Sequence, residues 1–168
     1  MGRTTALRRE IKRTFIPYLR DKGFACDMQN APQFFTFRKI TSDAVYVCDI
    51  QWHKSGSPRF VVNFGKCAAE GGLNSHHHRV SPEGTFPQHA QERGRLSPGS
   101  ERWSTGGWFR QDRPLLRRFV HSSKFYTPDE VVSKLMTLFI EVEDYWNLGR
   151  IGPHVRVMPI PGHPVRVP

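Results

Sequence analysis

Between Ala44 and Cys67 the chain alternates side chains with a period of two, broken once by Lys54-Ser55-Gly56-Ser57-Pro58. That period is the signature of an extended strand whose two faces meet different surroundings. Tyr46, Cys48, Ile50 and Trp52 fall on one face, with Val45, Val47, Asp49, Gln51 and His53 on the other. Phe60, Val62 and Phe64 repeat the bulky face against Val61, Asn63 and Gly65. The Gly- and Pro-bearing link is turn chemistry, so the two runs are expected to form an antiparallel hairpin. Pairing His53 with Arg59 sets Trp52 against Phe60, Ile50 against Val62 and Asp49 against Asn63. A slip of one residue would turn one strand over and separate the apolar faces.

The flanking segments supply what this hairpin needs to bury its bulky face. In residues 4–22, Leu7, Ile11, Phe15 and Leu19 recur every fourth position, an amphipathic helix. Pro17 removes a backbone bond and is expected to bend it, and Gly23-Phe24 is a stop signal. Gln33 to Ile40 alternates around Phe35 and Phe37 as a further strand. Residues 128–148 form the clearest helix. Thr127-Pro128-Asp129-Glu130 is a capping box with Pro at the first helical position, and Val131, Leu135, Leu138, Phe139, Val142 and Trp146 make its stripe.

Between them, residues 68–102 are rich in Gly, Ser, His and Pro and read as a long loop. A short strand may start at Arg93-Gly94-Arg95-Leu96, and Trp103 to Phe109 reads as a tight hairpin or edge segment. Residues 151–168 carry five Pro and read as an extended tail. The expected fold class is α+β: an antiparallel β-meander of three to five strands with N- and C-terminal helices packed on one face. Residues 1–150 make one domain, and the polar outer sheet face should be wetter than the inner one.

Charge narrows the partners. Twenty-five Lys and Arg against 15 Asp and Glu leave +10, which favours polyanions or acidic proteins. Cys26, Cys48 and Cys67 form no disulfide or zinc spacing, so buried free thiols and no cofactor are expected. No run reaches membrane-spanning length and no signal-peptide core is legible. A cytoplasmic protein without a membrane partner is the expectation.

Three groups of residues are candidates for function. Asp49, Gln51, His53 and Asn63, capped by Arg95, could form a ligand-binding patch on the outer face. Alternate residues of a strand are about 6.6 Å apart, so Asp49 and His53 lie roughly 13 Å apart and form no acid–base dyad. Arg8, Arg9, Lys12, Arg13 and Arg20 of the first helix could meet nucleic acid, with Trp103, Trp108 or Phe109 stacking on bases. His76 and His78, within a run of three histidines, are weak metal candidates, since neighbours on a loop seldom reach one ion.

Taken together, the Pro-bearing first helix closing on Gly23-Phe24, the strand Val47 to Lys54 with Ile50-Gln51, the strand Phe60 to Gly65 with Asn63, and Arg95-Leu96 followed by Trp108-Phe109 resemble the uncharacterised bacterial domain of unknown function 4304 family. The resemblance spans roughly residues 7–148 and implies an α+β fold without supplying an activity. The leading functional expectation is a non-catalytic binding domain recognising a protein or small ligand. Nucleic-acid binding through the basic surface is the alternative, and an enzyme using the polar sheet face is third.

Overall fold

A computed structural model describes residues 2–27, 34–99, 107–112 and 125–158. Trp103, the beginning of the expected Trp103–Phe109 segment and residues 159–168 of the tail lie outside the described residues.

The first helix, α1, runs Arg3–Glu10, passes through a π-helical turn at Ile11–Phe15 and continues over Ile16–Asp21. The π turn lies just before Pro17. A wider turn there accommodates the bond that proline cannot make, so the helix carries on instead of ending. Gly23 closes it at φ 87°, and the Phe24 amide returns to the Leu19 carbonyl at 3.0 Å. The second helix, α2, spans Pro128–Leu148. Thr127 and Glu130 cap it reciprocally, at 3.1 and 2.6 Å, and Gly149 ends it in the left-handed conformation.

Among the described residues nine strands follow in chain order: β1 (Ala25–Asp27), β2 (Phe34–Ile40), β3 (Ala44–Trp52), β4 (Arg59–Ala68), β5 (Gly72–Leu73), β6 (Arg79–Val80), β7 (Glu92–Leu96), β8 (Phe109–Arg110) and β9 (Val155–Val157). Seven form one antiparallel sheet in the order β1-β2-β3-β4-β7-β9, with β8 paired to the far end of β4. The α+β meander is therefore wider than the three to five strands expected. The added strands β1, β8 and β9 are two or three residues long, too short to leave a periodic trace. The β3–β4 register is the one that parity required, with Trp52 opposite Phe60, Ile50 opposite Val62 and Asp49 opposite Asn63.

Both helices cover the face carrying Cys48, Ile50 and Trp52. Phe15 meets Phe37 and Phe139 edge-on at 6.0 and 5.4 Å between centroids, and Trp146 packs on Phe24 and Phe64. These rings and the helix stripes form the main core. No helix among the described residues is long and apolar enough to cross a membrane.

The opposite face corrects the expectation of a wet sheet surface. The excursion after β4 folds back over it: a β5–β6 ribbon, then a 3₁₀ turn at Pro87–His89. Ala90 packs with Val45 and Cys67 in a second small core. The approach is close because Gly65 has no side chain; a Cβ there would stand 2.5 Å from that of Ala90. Arg38, only 8% exposed, fastens the layer by donating from Nε to the Thr85 carbonyl at 2.6 Å, with its guanidinium over the Phe86 ring. This layer leaves no periodic trace in the sequence because it is built from a two-residue ribbon and turns.

The tail also joins the sheet. β9 pairs with β7, and the Met158 amide donates to the Arg93 carbonyl at 2.9 Å. Glu141 of α2 holds the entry to this strand, accepting from the His154 backbone amide at 2.8 Å and meeting its imidazole Nδ1 at 2.6 Å.

Candidate functional site

Antiparallel pairing brings one residue from each of six strands into line across the outer face. Asp27 is opposite Thr36, Thr36 opposite Asp49, Asp49 opposite Asn63, Asn63 opposite Arg95, and Arg95 opposite Arg156. Charge changes sign along this row, with acids at the β1–β3 end and bases at the β7–β9 end.

At its centre the side chains are linked. Asn63 donates from Nδ2 to Asp49 Oδ1 at 2.8 Å and to Gln51 Oε1 at 3.2 Å, while its own Oδ1 accepts from Arg95 Nε at 2.9 Å. The amide orientation is fixed by its partners, since an ionised carboxylate only accepts and a guanidinium only donates. The bridge uses Asp49 Oδ1 and Arg95 Nε, leaving Asp49 Oδ2 and the terminal nitrogens of Arg95 outside it.

A cavity of about 260 Å³ opens over this cluster. Asp49, Asn63, Arg93 and Arg95 supply its polar walls; Pro87 from the 3₁₀ turn and Met158 from the tail are among its other lining residues. Arg93 is braced by donating from Nη1 to the Gln88 carbonyl at 3.0 Å. Three different parts of the chain thus build one site on a rigid sheet.

The electrostatics follow from this placement. Asp49 is 4% exposed, and loss of solvent pushes its carboxyl up to about 6, against the opposing pull of the Asn63 hydrogen bond and the Arg95 charge. Burial, chiefly, lowers the pKa of the half-buried Arg95; Arg156 lowers it further while Asp49 supports it. Like charges directly opposite one another on neighbouring strands repel. Among the described residues the lining offers a buried carboxyl, an amide and two guanidinium groups, which suit ion pairing and hydrogen bonding.

Of the expected patch, Asp49, Gln51, Asn63 and Arg95 come together, with Gln51 supporting Asn63 from outside the cavity lining. His53 does not join them. It follows the end of β3, its Nδ1 is 2.7 Å from Ser55 Oγ in the turn, and its ring meets Trp108 edge-on at 5.1 Å. Arg93 and Met158 were not anticipated. The signal for Arg93 is the alternation Arg93-Gly94-Arg95, which sets both arginines on one face; Met158 has none, because nothing local joins β9 to β7.

The other candidates disperse. Arg13 pairs with Glu10 at 2.6 Å, the Arg8 guanidinium lies over Trp52 and the Lys12 ammonium faces Phe35. Arg9 and Arg20 are exposed on the same helix. His76 and His78 are exposed in the β5–β6 turn with rings 6.3 Å apart. Among the described residues no group of three or more His, Cys, Asp or Glu side chains could hold a metal ion. Cys48 and Cys67 are buried and Cys26 partly so, and all three are free thiols whose pKa burial raises.

No protein-family model, curated protein or solved structure matches the chain.

Proposed function

We propose that this domain is a non-catalytic binding module that recognises a small ligand through an anionic group held at Arg95 and Arg93. One observation carries the reading: Arg95 is half-buried, faces the like-charged Arg156, spends only its Nε on Asn63, and lines a cavity. A carboxylate or phosphate placed there would satisfy the guanidinium fork and relieve the repulsion. The cavity is a little below the roughly 300–1,000 Å³ usual for drug-sized ligands, which suits a metabolite better than a polymer. Kinship with the domain of unknown function 4304 family belongs to the same proposal. It rests on Ile50-Gln51, Asn63 and Arg95-Leu96, which lie on the adjacent strands β3, β4 and β7.

The test is a titration of the whole protein with inorganic phosphate and short carboxylates, followed by backbone amide NMR. Shifts gathered at Asn63, Gly94 and Arg95, and abolished by Arg95→Gln, are the expected result. Shifts scattered over α1 instead would overturn the reading in favour of non-specific attraction to a basic surface.

A further inference from the structure

Asn63 indicates what else the ligand carries. Its carboxamide bridges an acid and a base, with the donating end toward Asp49 and the accepting end toward Arg95. Both neighbours retain capacity beyond that bridge. The Asp49 side-chain bond to Asn63 uses Oδ1, and the Arg95 bond to Asn63 uses Nε, which leaves Asp49 Oδ2 and the Arg95 terminal nitrogens outside that bridge. Both residues, together with Asn63, line the same cavity. A ligand lying alongside the amide meets the same polarity: a hydrogen-bond acceptor is wanted on the Arg95 side and a donor on the Asp49 side.

Spacing limits the choice. Carboxyl and guanidinium are separated by one amide group and two hydrogen bonds, roughly 6–8 Å in all. An ammonium and a carboxylate borne on one carbon, each making one hydrogen bond outward, span about the same distance. A simple carboxylate or phosphate would satisfy Arg95 and leave the buried Asp49 with Asn63 as its hydrogen-bonding neighbour and no cation of its own, which is costly for an ionised group. A simple amine would leave the two facing arginines unrelieved.

The geometry points to an α-amino acid, or a small molecule presenting the same ammonium-carboxylate pair, as the ligand of this cavity, with Asp49 taking the ammonium and Arg95 the carboxylate. This inference rests on the anion-binding reading and adds the cationic half. The apolar parts of Pro87 and Met158 then face the ligand's side chain.

The experiment is a ligand-observed NMR screen of the intact protein against the twenty standard L-amino acids. Each binder is then titrated beside its deaminated carboxylate and its decarboxylated amine. The expected result is an amino acid that binds about tenfold or more tightly than either analogue, the value of one charge-assisted hydrogen bond. In Asp49→Asn the ratio to the deaminated carboxylate should fall toward one, while the preference over the decarboxylated amine persists. The wild-type comparison needs no variant, so it stands even if Asp49→Asn folds poorly. Carboxylates or phosphate binding as well as every amino acid would overturn the zwitterion while leaving the anion site intact. Absence of binding by amino acids, carboxylates and phosphate alike would overturn both.

Discussion

Asn63 faces Asp49 across the β3–β4 ladder, and its amide nitrogen donates to the carboxylate at 2.8 Å while the acid is 4% exposed. That carboxyl is raised from 3.8 to about 6 by burial. A folded-state pKa above the unfolded one means that the native protein holds the proton more tightly. The resulting stabilisation is fully present below pH about 4 and is lost as pH rises through about 6, by roughly 2–3 kcal/mol. Asp49→Asn lacks this loss. Urea unfolding of both proteins at pH 4 and pH 7 should show the variant gaining on the wild type at the higher pH. A difference independent of pH would contradict the burial of this carboxylate.

Gly65 permits the outer layer to lie directly on the sheet. Gly65→Ala puts a methyl 2.5 Å from the Ala90 Cβ and within 3.2 Å of the Pro87 and Glu92 carbonyl oxygens. Backbone has to move, at a cost of about 1–3 kcal/mol. Because Pro87 walls the cavity, the substitution should lower both the unfolding midpoint and the affinity for any small anion that the wild type binds. Calorimetry on the same preparation would read both.

Glu141 acts as a latch on the tail strand through its two contacts with His154. Glu141→Ala removes both and should cost about 1–3 kcal/mol locally. Hydrogen exchange is expected to speed up at Val155 to Val157 and at the Met158 amide, with little change at Leu135 or Val142 in the middle of α2. Faster exchange throughout α2 would show that the strand and helix unfold as one unit.

Phe139 is fully buried and touches Phe15, Tyr18 and Trp146. Phe139→Ala should destabilise the fold by about 3–5 kcal/mol, a large part of the stability of a domain this size. Thr127→Ala, which removes one half of the capping box, should cost about 1 kcal/mol. Thermal unfolding separates the two, and the ranking follows from lost burial against a lost surface hydrogen bond.

How much of the site was legible varies residue by residue. Asp49, Gln51, Asn63 and Arg95 could be placed on one face because strand parity is local and each residue's face is set by its count from the turn. His53 obeys the same count, and its amide donates to the Arg59 carbonyl as expected, yet its ring leaves the group because it follows the end of β3 and turns to Ser55. Arg156 and Met158 carried no signal, because a strand of three residues has no period and pairs only after the sheet edge at β7 exists.

The amino-acid order by itself therefore determined the two helices, the β3–β4 register and which side of the sheet is aromatic. These depend on contacts within a few residues or on a single turn, where spacing alone dictates direction. Tertiary structure alone decided that the polar face would be roofed, that Asp49 would lose its water, and that the tail would close one wall of the cavity. Those outcomes depend on which distant surfaces meet. Gly65 and Arg38 show why a one-dimensional pattern does not reveal them: each matters for what arrives from some twenty to fifty residues further along the chain.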